Sequence, residues 1–132
     1  MICLYIYVVA VMCLYICIVA HSGVIIFANR APIVWWPKRQ NTMETSTFGS
    51  EIVAMRIAIE LIEGLRYKLR MMGVAIEGEC DVFCGSESVA KSATRPESPL
   101  KKKHCAVSYH NAREAIAAKF TRVAKICGKV SI

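Results

Sequence analysis

One aspartate, Asp81, is all that 132 residues provide, and no charged side chain precedes Arg30. No GxGxxG, P-loop or HExxH pattern occurs, which removes the dinucleotide, NTPase and zincin classes that depend on those spacings. Seven cysteines form an odd set without regular spacing. That gives no indication of a disulfide framework, fits a reducing compartment better, and leaves the thiols as small hydrophobes. No internal repeat is present, and the length suits one modest domain, since compact domains usually run to ~100–150 residues.

What is present is basic. Seventeen Lys and Arg against ten acids give a net charge of +7, nearly all of it beyond Ala31. Such an excess favours polyanionic partners, either nucleic acid or an anionic membrane.

The stretch from Ile2 to Ala20, ICLYIYVVAVMCLYICIVA, supports two readings. Its length is about that needed to cross ~30 Å of hydrocarbon as a helix, and the positive-inside rule would then keep the basic remainder cytoplasmic. Alternatively Leu4 to Ala10, rich in Tyr, Ile and Val, is a buried strand displaced into an apolar leader. Either way the division falls between residues 1–22 and a domain over 23–132.

Beyond the leader, Gly23 to Ala28 and Ile33 to Trp36 read as strands around a turn at Asn29 to Pro32, with Pro37 ending the second for want of a ladder donor. Thr47 is a candidate N-cap that places Glu51 in the first turn of a long helix, where the macrodipole favours a carboxylate. Along that helix Ile52, Met55, Ile59, Ile62, Leu65, Leu69 and Met72 make an apolar stripe. Arg56 with Glu60, and Glu63 with Arg66, pair on its exposed side, and Gly73 ends it with a left-handed cap. Asp81 to Cys84 reads as a short central strand. A last helix opens with Ser98 as N-cap and Pro99 at its first position.

The run from Lys38 to Gly73, together with the segment from Lys101 to Ala118, resembles the ribonuclease H domain at the C-terminal end of copia-type LTR-retrotransposon polyproteins. Lys103-His104 and Tyr109-His110-Asn111-Ala112-Arg113-Glu114 match a Lys-His pair and a Tyr-His-x-x-Arg-Glu stretch of that family. The resemblance implies an α/β fold, an incomplete ribonuclease H-like mixed sheet with packed helices, following the apolar N-terminal segment. It also implies an ancestral reaction, metal-dependent hydrolysis of the RNA strand of RNA/DNA hybrids with Mg²⁺ or Mn²⁺, and Glu51 as a catalytic and metal-binding carboxylate.

The departures from the family pattern are as specific as the matches. Where the family reads Phe-Cys-Asp-Asn-Glu-Ser-Val, this chain reads Phe83-Cys84-Gly85-Ser86-Glu87-Ser88-Val89, so Gly85 replaces an aspartate. Tyr7-Val8-Val9-Ala10 matches Tyr-Val-Asp-Ala with Val9 in place of the first aspartate, and the family's final Asn-x-Ala-Asp is not reached. Glu51 is thus the one family carboxylate retained. Since two-metal hydrolysis needs several carboxylates around cations ~4 Å apart, the expectation is a degenerate fragment that binds no metal tightly and does not cut.

Lys38, Arg39, Lys101, Lys102, Lys103 and His104 would meet the phosphates of a hybrid, or of nucleic acid nonspecifically. His104 and His110 are candidate proton shuttles. The expected location is cytoplasmic or nuclear. The alternative is a small membrane-anchored basic protein held through residues 2–20, with a cytoplasmic C-terminal part.

Overall fold

In a computed structural model the chain is described over residues 4–12, 19–43, 47–76, 78–95, 97 and 103–125. Five strands form one sheet: β1 (Leu4–Met12), β2 (Val19–Ala28), β3 (Ala31–Met43), β4 (Cys80–Cys84) and β5 (Thr121–Lys125). Their order is β3-β2-β1-β4-β5, with β2 antiparallel to both β1 and β3, and β4 parallel to both β1 and β5. The helices are α1 (Thr47–Met71), α2 (Glu87–Thr94) and α3 (Ala106–Ala117), the last entered through a 3-10 turn at Lys103–Cys105.

Leu4–Met12 therefore takes the strand form and lies at the centre of the sheet. The helical alternative is not what these residues adopt. Among the described residues no helix is long and apolar enough to cross a membrane.

The β2–β3 hairpin turns at Asn29, whose φ of 56° is left-handed, a conformation that asparagine tolerates better than most residues. Pro37 does not end β3, which continues to Met43. Because β3 is an edge strand, a residue without an N–H need not break a shared ladder there.

The core lies between the sheet and the helices. Val24 and Ile26 of β2, Val82 of β4, Val123 of β5 and Val89 of α2 meet Ile52, Met55, Ile59 and Ile62 of α1, all buried. Each such side chain contributes roughly 1.5–3 kcal/mol on burial. On the opposite face of the sheet Ile25 and Trp35, register partners, are exposed.

Helix ends account for several departures from expectation. Since α1 begins at Thr47, Glu51 stands in its second turn, and no acid lies in the first. Met72 does not extend the apolar stripe, because the helix stops at Met71 and Met72 is exposed. The stop is a Schellman motif: Gly73 N–H donates to Arg70 O and Val74 N–H to Leu69 O, with Gly73 at φ 78°. The same pair of bonds closes α3, from Lys119 N–H to Ile116 O and from Phe120 N–H to Ala115 O, but there the left-handed position is filled by Lys119 at φ 55°. The α-helical part of that last helix starts at Ala106, later than sequence suggests, and Ser98 and Pro99 lie outside the described residues.

Arg66 is the largest surprise in α1. It is buried, not paired at the surface with Glu63; its guanidinium lies 4.8 Å from the Phe120 ring centroid and Nη1 donates to Gly78 O at 3.0 Å. An aromatic face and a carbonyl replace the carboxylate as its partners.

Candidate functional site

The topology gathers the chemistry at one end of the sheet. Strands β1, β3, β4 and β5 all run the same way, so their C-terminal ends lie together. Helix α1 starts after the end of β3, and α2 after the end of β4. Glu51, Gly85 and the N-cap Ser86 of α2, whose Oγ accepts from Val89 N–H at 3.5 Å, share that end.

Register makes the relation between Val9 and Gly85 specific. The parallel β1–β4 ladder ends with Val8 opposite Cys84, so Val9 and Gly85 each follow its last rung. Glu51 approaches the same spot: burial pushes the Cys84 thiol pKa up, and the Glu51 carboxylate adds to the rise, opposed by a backbone hydrogen bond at Ser86. A neutral, buried thiol is a poor ligand for a hard cation.

Two other acids are occupied, Glu87 at this end and Asp81 toward the opposite one. Glu87 opens α2 and its two oxygens are divided between Lys91 (2.5 Å) and Lys125 (3.3 Å), which hold its pKa below the usual carboxylate value. Asp81, near the start of β4, pairs with Arg122 opposite it on β5 (2.6 and 2.7 Å, both to Oδ1). Among the described residues no group of three or more His, Cys, Asp or Glu could hold a metal ion. The donor set at Gly85 does not fit a pair of Mg²⁺ or Mn²⁺ ions, each of which seeks octahedral oxygen coordination. At Gly85 itself a Cβ would meet nothing within 4 Å.

Of the basic residues picked out in the sequence, Lys38 and Arg39 are exposed on β3 toward the same end, with Lys38 Nζ 5.2 Å from the Trp36 ring centroid. Lys103 is exposed at the 3-10 turn before α3, and His104 lies within that turn. Lys101 and Lys102 lie outside the described residues. His110 is exposed on α3, edge-on to Tyr109 at 5.2 Å, and lines a shallow depression between α2 and α3 with Thr94 and Arg113.

Gln40 is a residue that sequence reasoning missed. This buried side chain donates from Nε2 to Ser22 Oγ (2.5 Å) and to Ser50 O (2.8 Å). It ties β2, β3 and the first turn of α1 together one residue before Glu51. Because Ser50 O can only accept, the amide orientation is fixed. The sole signal lay in alternation: once β3 passes Pro37, Gln40 falls on the same side as Val34 and Trp36.

No family model matches the chain. Among solved structures it is similar to LC11-RNase H1 in complex with RNA/DNA hybrid (15% identity, TM-score 0.72, covering 96% of this chain and 86% of that one). It is also similar to RNase H1 of the halophilic archaeon Halobacterium salinarum (12%, TM-score 0.68, 95% and 86%). A third similarity is to the prototype foamy virus protease–reverse transcriptase (16%, TM-score 0.66, 99% of this chain and 19% of that one). The chain has the ribonuclease H-like fold.

Proposed function

We propose that this chain is a degenerate ribonuclease H-like fragment of a copia-type retrotransposon polyprotein that holds RNA/DNA hybrid without cutting it. The observation that carries the reading is that Val9 and Gly85, the residues following the last rung of the β1–β4 ladder, carry no carboxylate. Glu51 is left without the partners that two-metal hydrolysis requires.

Binding does not need those carboxylates. Lys38 and Arg39 on β3 and Lys103 before α3 present exposed positive charge, and a net charge of +7 attracts a polyanion over a longer range. Contacts of this kind track backbone and shape, so the affinity falls steeply with salt and depends little on sequence. The fold-level similarity to a ribonuclease H1 in complex with RNA/DNA hybrid points to the same ligand class. The membrane-anchored alternative is less favoured, because Leu4–Met12 is spent on the centre of the sheet.

The test is a labelled RNA/DNA hybrid incubated with purified chain in Mg²⁺ or Mn²⁺, read by both anisotropy and gel. The expected result is salt-sensitive binding with intact RNA. Cleavage that Glu51→Ala abolishes would overturn the assignment of inactivity, and absence of binding at low salt would overturn the assignment of ligand.

A further inference from the structure

Between β3 and α1 runs a groove of about 340 Å³, separate from the Glu51 and Gly85 end although joined to it through Gln40. We propose that this groove takes one unpaired nucleotide of a single-stranded nucleic acid, its base stacked on Trp36 and its phosphate held by Lys38, Arg39 and Arg56. The inference rests on the nucleic-acid reading above for the class of ligand, and on the groove's own residues for the site.

Three features select such a ligand. The first is a flat aromatic wall: Trp36, half-buried, faces an apolar side formed by Val53, Ile57 and Leu61 of α1. The second is charge. Lys38, Arg39 and Arg56 line the groove against one acid, Glu60, which already pairs with Arg56 at 3.7 Å. A positive groove with a π-face is the arrangement by which proteins track a single strand, since every base offers a face to stack.

The third feature is an unspent polar atom in the lining. Gln40 has both Nε2 hydrogens committed to Ser22 and Ser50, leaving Oε1 without a hydrogen-bond partner, while Arg56 Nε makes no hydrogen bond and meets Glu60 Oε1 only at ion-pair distance, 3.7 Å. Native structures leave few buried polar atoms in that condition. The volume is near the lower bound for small-molecule pockets, ~300 Å³, which admits one nucleotide and not a base pair. Bases inside a duplex are stacked on each other and cannot reach Trp36, so the groove discriminates a single strand from a blunt hybrid.

The experiment titrates the full chain into two fluorescein-labelled probes, a 12-nucleotide single-stranded DNA and a blunt 12-base-pair RNA/DNA hybrid. Trp36→Leu is expected to weaken single-strand binding by about 5- to 150-fold, the range for loss of one stacked base, with hybrid affinity unchanged. Adenosine monophosphate should compete for the single strand where equimolar inorganic phosphate does not.

Wild-type affinity for the single strand in a folded Trp36→Leu variant overturns the proposal. So does equal weakening of both probes, or equal competition by inorganic phosphate. Should Trp36→Leu fail to fold, exposed Lys38→Gln replaces it, and unchanged single-strand affinity there overturns the site as well. Hybrid bound without single strand removes the groove and keeps the proposed function; single strand bound without hybrid does the reverse.

Discussion

Placing acids at Val9 and Gly85 offers a quantitative test of the proposed absence of metal binding. In the double substitution Val9→Asp with Gly85→Asp, two carboxylates enter the positions that follow the last rung of neighbouring parallel strands, about 5 Å apart. At that distance their repulsion is about 3 kcal/mol at an effective dielectric constant near 20 and under 1 kcal/mol in bulk water. Gly85 has open space where the new side chain begins, so the penalty there is electrostatic, not steric.

With divalent metal chelated, the double variant should be less stable than wild type by about 1–3 kcal/mol, lowering Tm by roughly 3–6 °C per kcal/mol for a chain of this size. Added Mg²⁺ should reverse the loss, because three converging carboxylates now include Glu51 and a ligand that binds only the folded state adds RT ln(1 + [L]/Kd). Differential scanning fluorimetry from zero to 10 mM Mg²⁺ measures both effects. A Tm in the variant that ignores Mg²⁺, or an identical Mg²⁺ response in wild type, refutes the inference that carboxylate loss at this end is what removed the metals.

Other expectations concern the scaffold. Lys119→Gly should stabilise by about 1 kcal/mol in urea titration, since it relieves a left-handed lysine at the end of α3 at the cost of some unfolded-state entropy. Burial pushes the Cys80 thiol from its ordinary 9.0 up to about 12, partly offset by Arg66. The folded state keeps that proton while the unfolded chain releases it, so stability is full below about pH 9 and falls by roughly 1.4 kcal/mol per unit toward pH 12; Cys80→Ala should flatten the slope, measured by chemical denaturation at stepped pH. Gln40→Leu should cost about 1–3 kcal/mol by removing the tie from β3 to Ser22 Oγ and Ser50 O, and an unchanged midpoint would refute the structural role given to that amide.

Local chemistry made much of the fold readable. The β-branched runs around Asn29 mark the hairpin, the 3.6-residue period marks α1, and Gly73 marks its end. What stayed hidden depends on neighbours distant in sequence. Pro37 stops a central strand but not an edge strand, and nothing near it in sequence says which β3 is. Arg66 looks like one more surface cation until Phe120 and Gly78 arrive to cover it. At the candidate site, Glu51 and the gap at Gly85 could be picked out by resemblance. The placing of Val9 and that gap past the same last rung required the β1–β4 register, and Gln40 required a β3 longer than its apolar part.

Calorimetric titration of the wild-type chain with Mn²⁺ and Mg²⁺ addresses the main claim most directly. We expect no saturable uptake through 10 mM, because among the described residues at this end Glu51 stands beside glycine, valine and a buried thiol, and Glu87 is held by Lys91 and Lys125. Stoichiometric binding of two ions per chain, lost in Glu51→Gln, would contradict it.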